Sequence, residues 1–65
     1  MSQHEAEKSL PEPSRKEIFL ALVDAQDNNM SVTESRTAIA TRFGVSEHQV
    51  RQIEREGLDN CWPPL

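Results

Sequence analysis

The chain has 65 residues, 35% of them hydrophobic and 28% charged, with a formal net charge of −4. That is one domain at most, and at this size a fold buries only about 60% of the surface its unfolded chain exposes, so the core is small. The longest apolar run, Ile18 to Val23, falls far below the roughly 18 residues of a membrane-spanning helix, and Met1-Ser2-Gln3-His4-Glu5 has neither part of a signal peptide, so a cytoplasmic location and no membrane partner are expected.

Residues 1–13 carry Glu5, Glu7 and Glu12 against Lys8, few apolar groups, and Pro11 and Pro13. This composition predicts a disordered leader. A domain then occupies residues 14–65, and its pattern predicts an all-α fold of three helices.

Each helix is announced by the same device. Ser14-Arg15-Lys16-Glu17, Ser31-Val32-Thr33-Glu34 and Ser46-Glu47-His48-Gln49 all read as capping boxes, in which Ser accepts from an amide three residues on and Glu or Gln answers back. The first helix is predicted over residues 15–26, with Ile18, Leu22 and Ala25 facing inward and Phe19 and Val23 widening that face. Asp27-Asn28-Asn29 ends it. The second is predicted over 32–42, with Val32, Arg36, Ile39, Ala40 and Phe43 on one stripe; the aliphatic stem of Arg36 covers the core edge. The third is predicted over 47–56. Val50, Ile53 and Leu58 carry its stripe, Val45 and Val50 form a hydrophobic staple, and Gly57 ends it. The tail, 58–65, holds Trp62 between Leu58 and Leu65. These three are expected to fold back over the core and add about 2–3 kcal/mol of burial. The rival for the tail is a docking role for Trp62 in a partner's pocket.

Residues 36–55 hold the informative pattern. Ala40 precedes Gly44 by four residues, and Val45, Val50 and Ile53 follow. A small residue where two helices approach, a glycine free to take positive φ, and apolar groups beyond it are the spacing of a helix-turn-helix. The segment also has Arg36, Arg42, Arg51 and Arg55 against Glu47 and Glu54, so it is basic within an acidic chain. With Val50 and Ile53 inward, the third helix presents Glu47, His48, Arg51, Gln52 and Arg55 outward. On double-stranded DNA that face enters the major groove. Arg51 is suited to guanine, Gln52 to adenine and His48 to a donor or an acceptor, while Glu47 either accepts from cytosine N4 or merely favours the helix dipole, and repels phosphates. Ser46 at the helix N-terminus, with Arg42 and Arg55, suits phosphates.

The stretch Arg42-Phe43-Gly44-Val45-Ser46-Glu47-His48-Gln49-Val50-Arg51-Gln52-Ile53-Glu54 resembles the promoter-reading helix-turn-helix, the fourth conserved region, of housekeeping-type bacterial sigma factors. The closest part is Val50-Arg51-Gln52-Ile53-Glu54. The resemblance implies major-groove reading by Arg51 and Gln52 in a bacterial transcription regulator or sigma-like accessory domain, with RNA polymerase or a regulatory protein as a further partner. The chain departs from the family where Glu47-His48-Gln49 stands in place of Arg-Glu-Arg, and where Glu56, Asp59 and Asn60 replace a basic run.

Other chemistry is not expected. A single cysteine, Cys61, allows no intrachain disulfide and no four-cysteine zinc site. His4 and His48 lack metal-ligand spacing, and there is no glycine-rich phosphate loop. No catalytic residue, metal or cofactor is predicted. The expected function is sequence-specific DNA binding, strengthened by a homodimer on paired half-sites or by attachment to a larger complex. The alternative, suited to the acidic balance, is a helix-turn-helix kept as a protein-interaction module.

Overall fold

A computed structural model of the chain describes residues 10–65. The leader expected to be disordered therefore lies mostly outside the described residues. Three helices, α1 (Glu12–Asp27), α2 (Val32–Phe43) and α3 (Glu47–Asn60), pack pairwise against one another in a compact all-α domain.

The α1 start differs from the sequence reading. Ser14 does not cap it. The helix begins at Glu12, three residues before the expected start, with Pro11 as N-cap and Pro13 in the first turn, and the Ser14 and Arg15 amides donate to the Pro11 carbonyl at 3.0 and 3.1 Å. Proline fits here because a first-turn residue needs no amide hydrogen and its fixed φ already suits a helix. Glu12 and Pro13 thus belong to the domain, and half-buried Leu10 packs against the core.

The start at Ser31 forms as the sequence predicts, and that at Ser46 forms by the serine half of its box. Ser31 and Glu34 make both bonds of a capping box. The Ser46 hydroxyl accepts from the Gln49 amide at 3.0 Å.

All three helices end on a residue with positive φ: Asn29 at 72°, Gly44 at 70° and Cys61 at 52°. Each end is closed by an amide reaching back five residues, Met30 to Ala25, Val45 to Ala40 and Trp62 to Gly57. This is the Schellman closure, which satisfies carbonyls the helix leaves over and reverses the chain. Gly44 is suited to it sterically, whereas Asn29 and Cys61 adopt the left-handed conformation at a cost.

The third of these ends corrects another expectation. Gly57 does not stop α3; the helix runs on through Asn60. The glycine serves packing instead. A Cβ at Gly57 would stand 2.6 Å from Phe19 Cγ, so the absent side chain is what admits the fully buried ring. Because the reversal comes at Cys61, Trp62 is turned back onto the core. Its ring meets Phe19 edge-on, with centroids 6.1 Å apart and planes at 81°.

The core consists of Ile18, Phe19 and Leu22 from α1, Ile39 and Ala40 from α2, Val50 and Ile53 from α3, and Trp62. Leu58 and Leu65 do not join it: both are more than half exposed. Continuing α3 past Gly57 rotates Leu58 to the outer face. Val32 is also half exposed, since it occupies the first turn of α2, beyond the edge of α1. Val23 and Ala25 are half-buried. In place of Val32, the inward position on α2 is taken by Ser35, which is fully buried; its hydroxyl donates to the Val32 carbonyl at 2.8 Å and accepts from Gln26 Nε2 at 3.1 Å.

Two ion pairs tie α3 to its neighbours. Arg15 meets Glu56 through two parallel bonds of 2.9 and 3.0 Å, and its remaining guanidinium nitrogen donates to the Leu10 carbonyl. Its hydrogen bonds to the Glu56 carboxylate raise the Arg15 pKa above its ordinary value; burial opposes this, and the Glu56 and Glu12 charges add to it. Arg36 meets Glu54 at 2.9 Å, so the end of that side chain is held by α3. Arg15 and Lys16 also sit over the Trp62 ring, 5.9 and 5.8 Å from its centroid.

Candidate nucleic-acid interface

The outer face of α3 follows from its inner one. With Val50, Ile53 and Gly57 buried, the residues a turn away point to solvent. His48, Arg51, Gln52 and Arg55 are all exposed and fall at helical intervals of three and four, so they form one stripe. Leu58 and Asp59 continue it toward the C-terminus. Together with Arg36 and Glu54 these residues line an open groove of about 620 Å³.

The charges on this stripe are set by pairing elsewhere. Among the described residues, Arg15, Lys16 and Arg36 each have a carboxylate partner. Arg42, Arg51 and Arg55 have none. The fold thus neutralises the cations that face neighbouring helices and leaves two unpaired arginines one turn apart on the exposed face of α3. The pairing of Arg36 with Glu54 also engages an acidic residue next to Arg55 in sequence, while Asp59, four residues beyond Arg55, has no cationic partner among the described residues.

The remaining sequence-predicted residues have distinct placements. Ser46 caps α3, and its hydroxyl oxygen is occupied as an acceptor while its hydrogen stays available to donate. Glu47, in the first turn of α3, is drawn toward α2: Thr37 Oγ1 lies 3.1 Å from its Oε2. Thr37 Oγ1 also lies 3.2 Å from the Thr33 carbonyl, so its single hydrogen is shared between that oxygen and the Glu47 carboxylate, which keeps its charge. Arg42 does not share the α3 groove. Its guanidinium lies over the Phe43 ring, 5.2 Å from the centroid, and lines a second groove between α1 and the end of α2.

Sequence reasoning missed Thr37, which holds Glu47, and the groove-lining roles of Arg36, Glu54, Leu58 and Asp59. The Arg36–Glu54 pair spans 18 residues of chain and leaves no local signal. Asp59 had one: it lies four residues beyond Arg55 on the same face.

Among the described residues no group of three or more His, Cys, Asp or Glu is placed to hold a metal ion, and no helix is long and apolar enough to cross a membrane. Comparisons with protein-family models, with curated proteins and with solved structures find no match to this chain.

Proposed function

We propose that the chain is a helix-turn-helix domain that binds double-stranded DNA with α3 in the major groove, as a transcription regulator or a sigma-like accessory domain. The observation that carries this reading is the segregation of charge: the arginines left without carboxylate partners are Arg42, at the end of α2, and Arg51 and Arg55 on the exposed face of α3.

The site supplies both kinds of contact that DNA recognition needs. Arg55 and Arg42 provide unpaired positive charge for phosphates, and the Ser46 hydroxyl and the amides at the α3 N-terminus provide neutral donors. Arg51 and Gln52 carry the fork-shaped groups that pair with guanine and adenine edges, with His48 beside them. The left-handed turn at Gly44, with the small, buried Ala40 four residues before it, supports this reading. Three or so phosphate contacts give weak affinity, so function requires two copies on paired half-sites or a larger complex such as RNA polymerase.

The test is a titration of isotope-labelled protein with a mixed-sequence duplex at low salt, following backbone amides. The expected result is a set of shifts confined to residues 46–55 that fades as salt rises. Double substitution of Arg51 and Gln52 by alanine is expected to abolish them while leaving the far-ultraviolet circular dichroism unchanged. Unaltered DNA affinity in that variant would remove α3 from the reading.

A further inference from the structure

The second groove is distinct from the α3 stripe. It runs between α1 and the C-terminal end of α2, has a volume of about 370 Å³, and is lined by Glu17, Leu20, Ala21, Asp24, Arg42 and Phe43. Its floor is apolar. Leu20 is 50% exposed, although it belongs to the longest apolar run of the chain, and Ala21 and Phe43 are half-buried beside it.

Its walls carry the anions that the fold leaves over. Among the described residues, Glu12, Glu54 and Glu56 have cationic partners, Glu34 is used in a cap, and Glu47 is held by Thr37. Glu17, Asp24, Asp27 and Asp59 have no partner. Three of these four stand on α1, and Glu17 and Asp24 flank Leu20 and Ala21 at helical intervals of three and four. Two turns of helix, about 10 Å, separate them.

We infer that this groove is a docking site for a cationic amphipathic helix of a partner protein, one that seats an apolar side chain against Leu20 and Phe43 between two basic residues about two turns apart. An apolar floor between unpaired like charges selects its occupant by sign. An acidic helix or a nucleic-acid backbone meets Glu17 and Asp24 as repulsion, whereas Lys or Arg at matching spacing meets them as complementary charge. Apolar anchors at helical spacing are the usual mode of helix-in-groove recognition. Arg42, over the Phe43 ring, adds one positive charge to the lining and favours a partner helix whose carbonyl end lies beside it. The site uses no residue of α3 and shares only Arg42 with the DNA reading, so the peptide titration and the Arg51→Ala control distinguish the two.

The probe is a synthetic helical peptide of roughly 14 residues, long enough for a marginal helix, with two leucines flanked by lysines at that spacing. Its control is the same peptide with glutamate in place of each lysine. Titrated into the isotope-labelled full chain, the lysine peptide is expected to shift the amides of residues 17–24 and 42–43. The glutamate peptide is expected to shift none of them. Leu20→Ala, at an exposed helical position that leaves the fold intact, is expected to weaken the lysine peptide about tenfold. Arg51→Ala is expected to leave it unchanged. Equal shifts with both peptides, no shifts at millimolar peptide, or the same shifts on concentrating the protein alone would each overturn the assignment, the last by giving the groove to a second copy of the chain.

Discussion

Replacing Gly57 by alanine sets local helix propensity against tertiary packing and predicts the sign of the result. In an exposed helix interior the change is favourable by about 1 kcal/mol. Gly57 lies inside α3, so propensity alone argues for a more stable protein. The structure argues the reverse. An alanine Cβ would stand 2.6 Å from Phe19 Cγ, whereas carbon atoms pack best at about 3.5–4.0 Å. The ring would have to retreat by about 1 Å. It is fully buried, and Trp62 bears on it edge-first, so it has no free direction. Overpacking of this kind costs about 1–3 kcal/mol, and a collision with a ring held on every side belongs at the upper end. Less the propensity gain, the net loss is about 1–2 kcal/mol, or a Tm lower by roughly 5–15 °C for a domain of this size. Thermal unfolding followed by circular dichroism measures it, and the fluorescence of the single tryptophan reports whether the displaced ring moves Trp62. The adjacent Leu58→Ala, at an exposed position, serves as control and is expected to stay within about 0.5 kcal/mol of the parent. A Tm for Gly57→Ala equal to or above the parent's would refute the packing role given to this glycine.

Cys61→Gly is expected to act the other way, raising stability by about 0.5–1 kcal/mol in urea unfolding, because Cys61 holds φ at 52° where a glycine pays no Cβ penalty. Ser35→Ala is expected to lower the urea midpoint by an amount worth about 1 kcal/mol, since it deprives Gln26 Nε2 of its acceptor at a fully buried position. For the proposed DNA complex, two or three arginine–phosphate contacts predict that log K falls with log salt with a slope of about −2 to −3, measured by fluorescence anisotropy of a labelled duplex; a slope near zero would argue against phosphate contacts altogether.

What was legible in the sequence was whatever depends on neighbours a few residues apart. The caps at Ser31 and Ser46 form because a serine and the amide three residues on meet without help from the rest of the fold. Ile18, Leu22, Ile39, Val50 and Ile53 repeat at helical intervals and are buried together. What was not legible depends on partners far along the chain. Gly57 reads as a stop signal until Phe19, a residue of another helix, is found against it. Ser35 reads as a surface residue until Gln26 and the Val32 carbonyl are seen to satisfy its hydroxyl. The Arg15–Glu56 pair joins residues 41 apart, and no spacing rule reaches that far. The α1 start misled for a different reason. Two signals competed, a serine box at Ser14 and prolines at 11 and 13, and proline in a first turn is compatible with a helix that begins ahead of the serine.

The same distinction governs the charge of the candidate site. A net charge of −4 opposes DNA when the chain is taken as a point. At physiological ionic strength the screening length is about 8 Å, so a phosphate in contact with α3 responds to the groups beside it rather than to the total. Arg51 and Arg55, one helical turn apart, lie within that length of each other. Glu54 and Glu56, which flank Arg55 in sequence, are paired with Arg36 and Arg15. Among the described residues, three of the four acidic side chains without partners sit on α1. Along the exposed face of α3 the two arginines stand at the centre, while Glu47 at one end and unpaired Asp59 at the other keep their negative charge, so the positive charge is local to Arg51 and Arg55. The excess of acid over base matters most at low salt, where the screening length grows to about 30 Å at 0.01 M and the anions of α1 are felt at the α3 face. The excess need not prevent binding there, since contact charges still dominate at close range. It does make the approach to DNA less steeply salt-dependent than the arginines alone would require, because added salt screens the repulsion as well as the attraction.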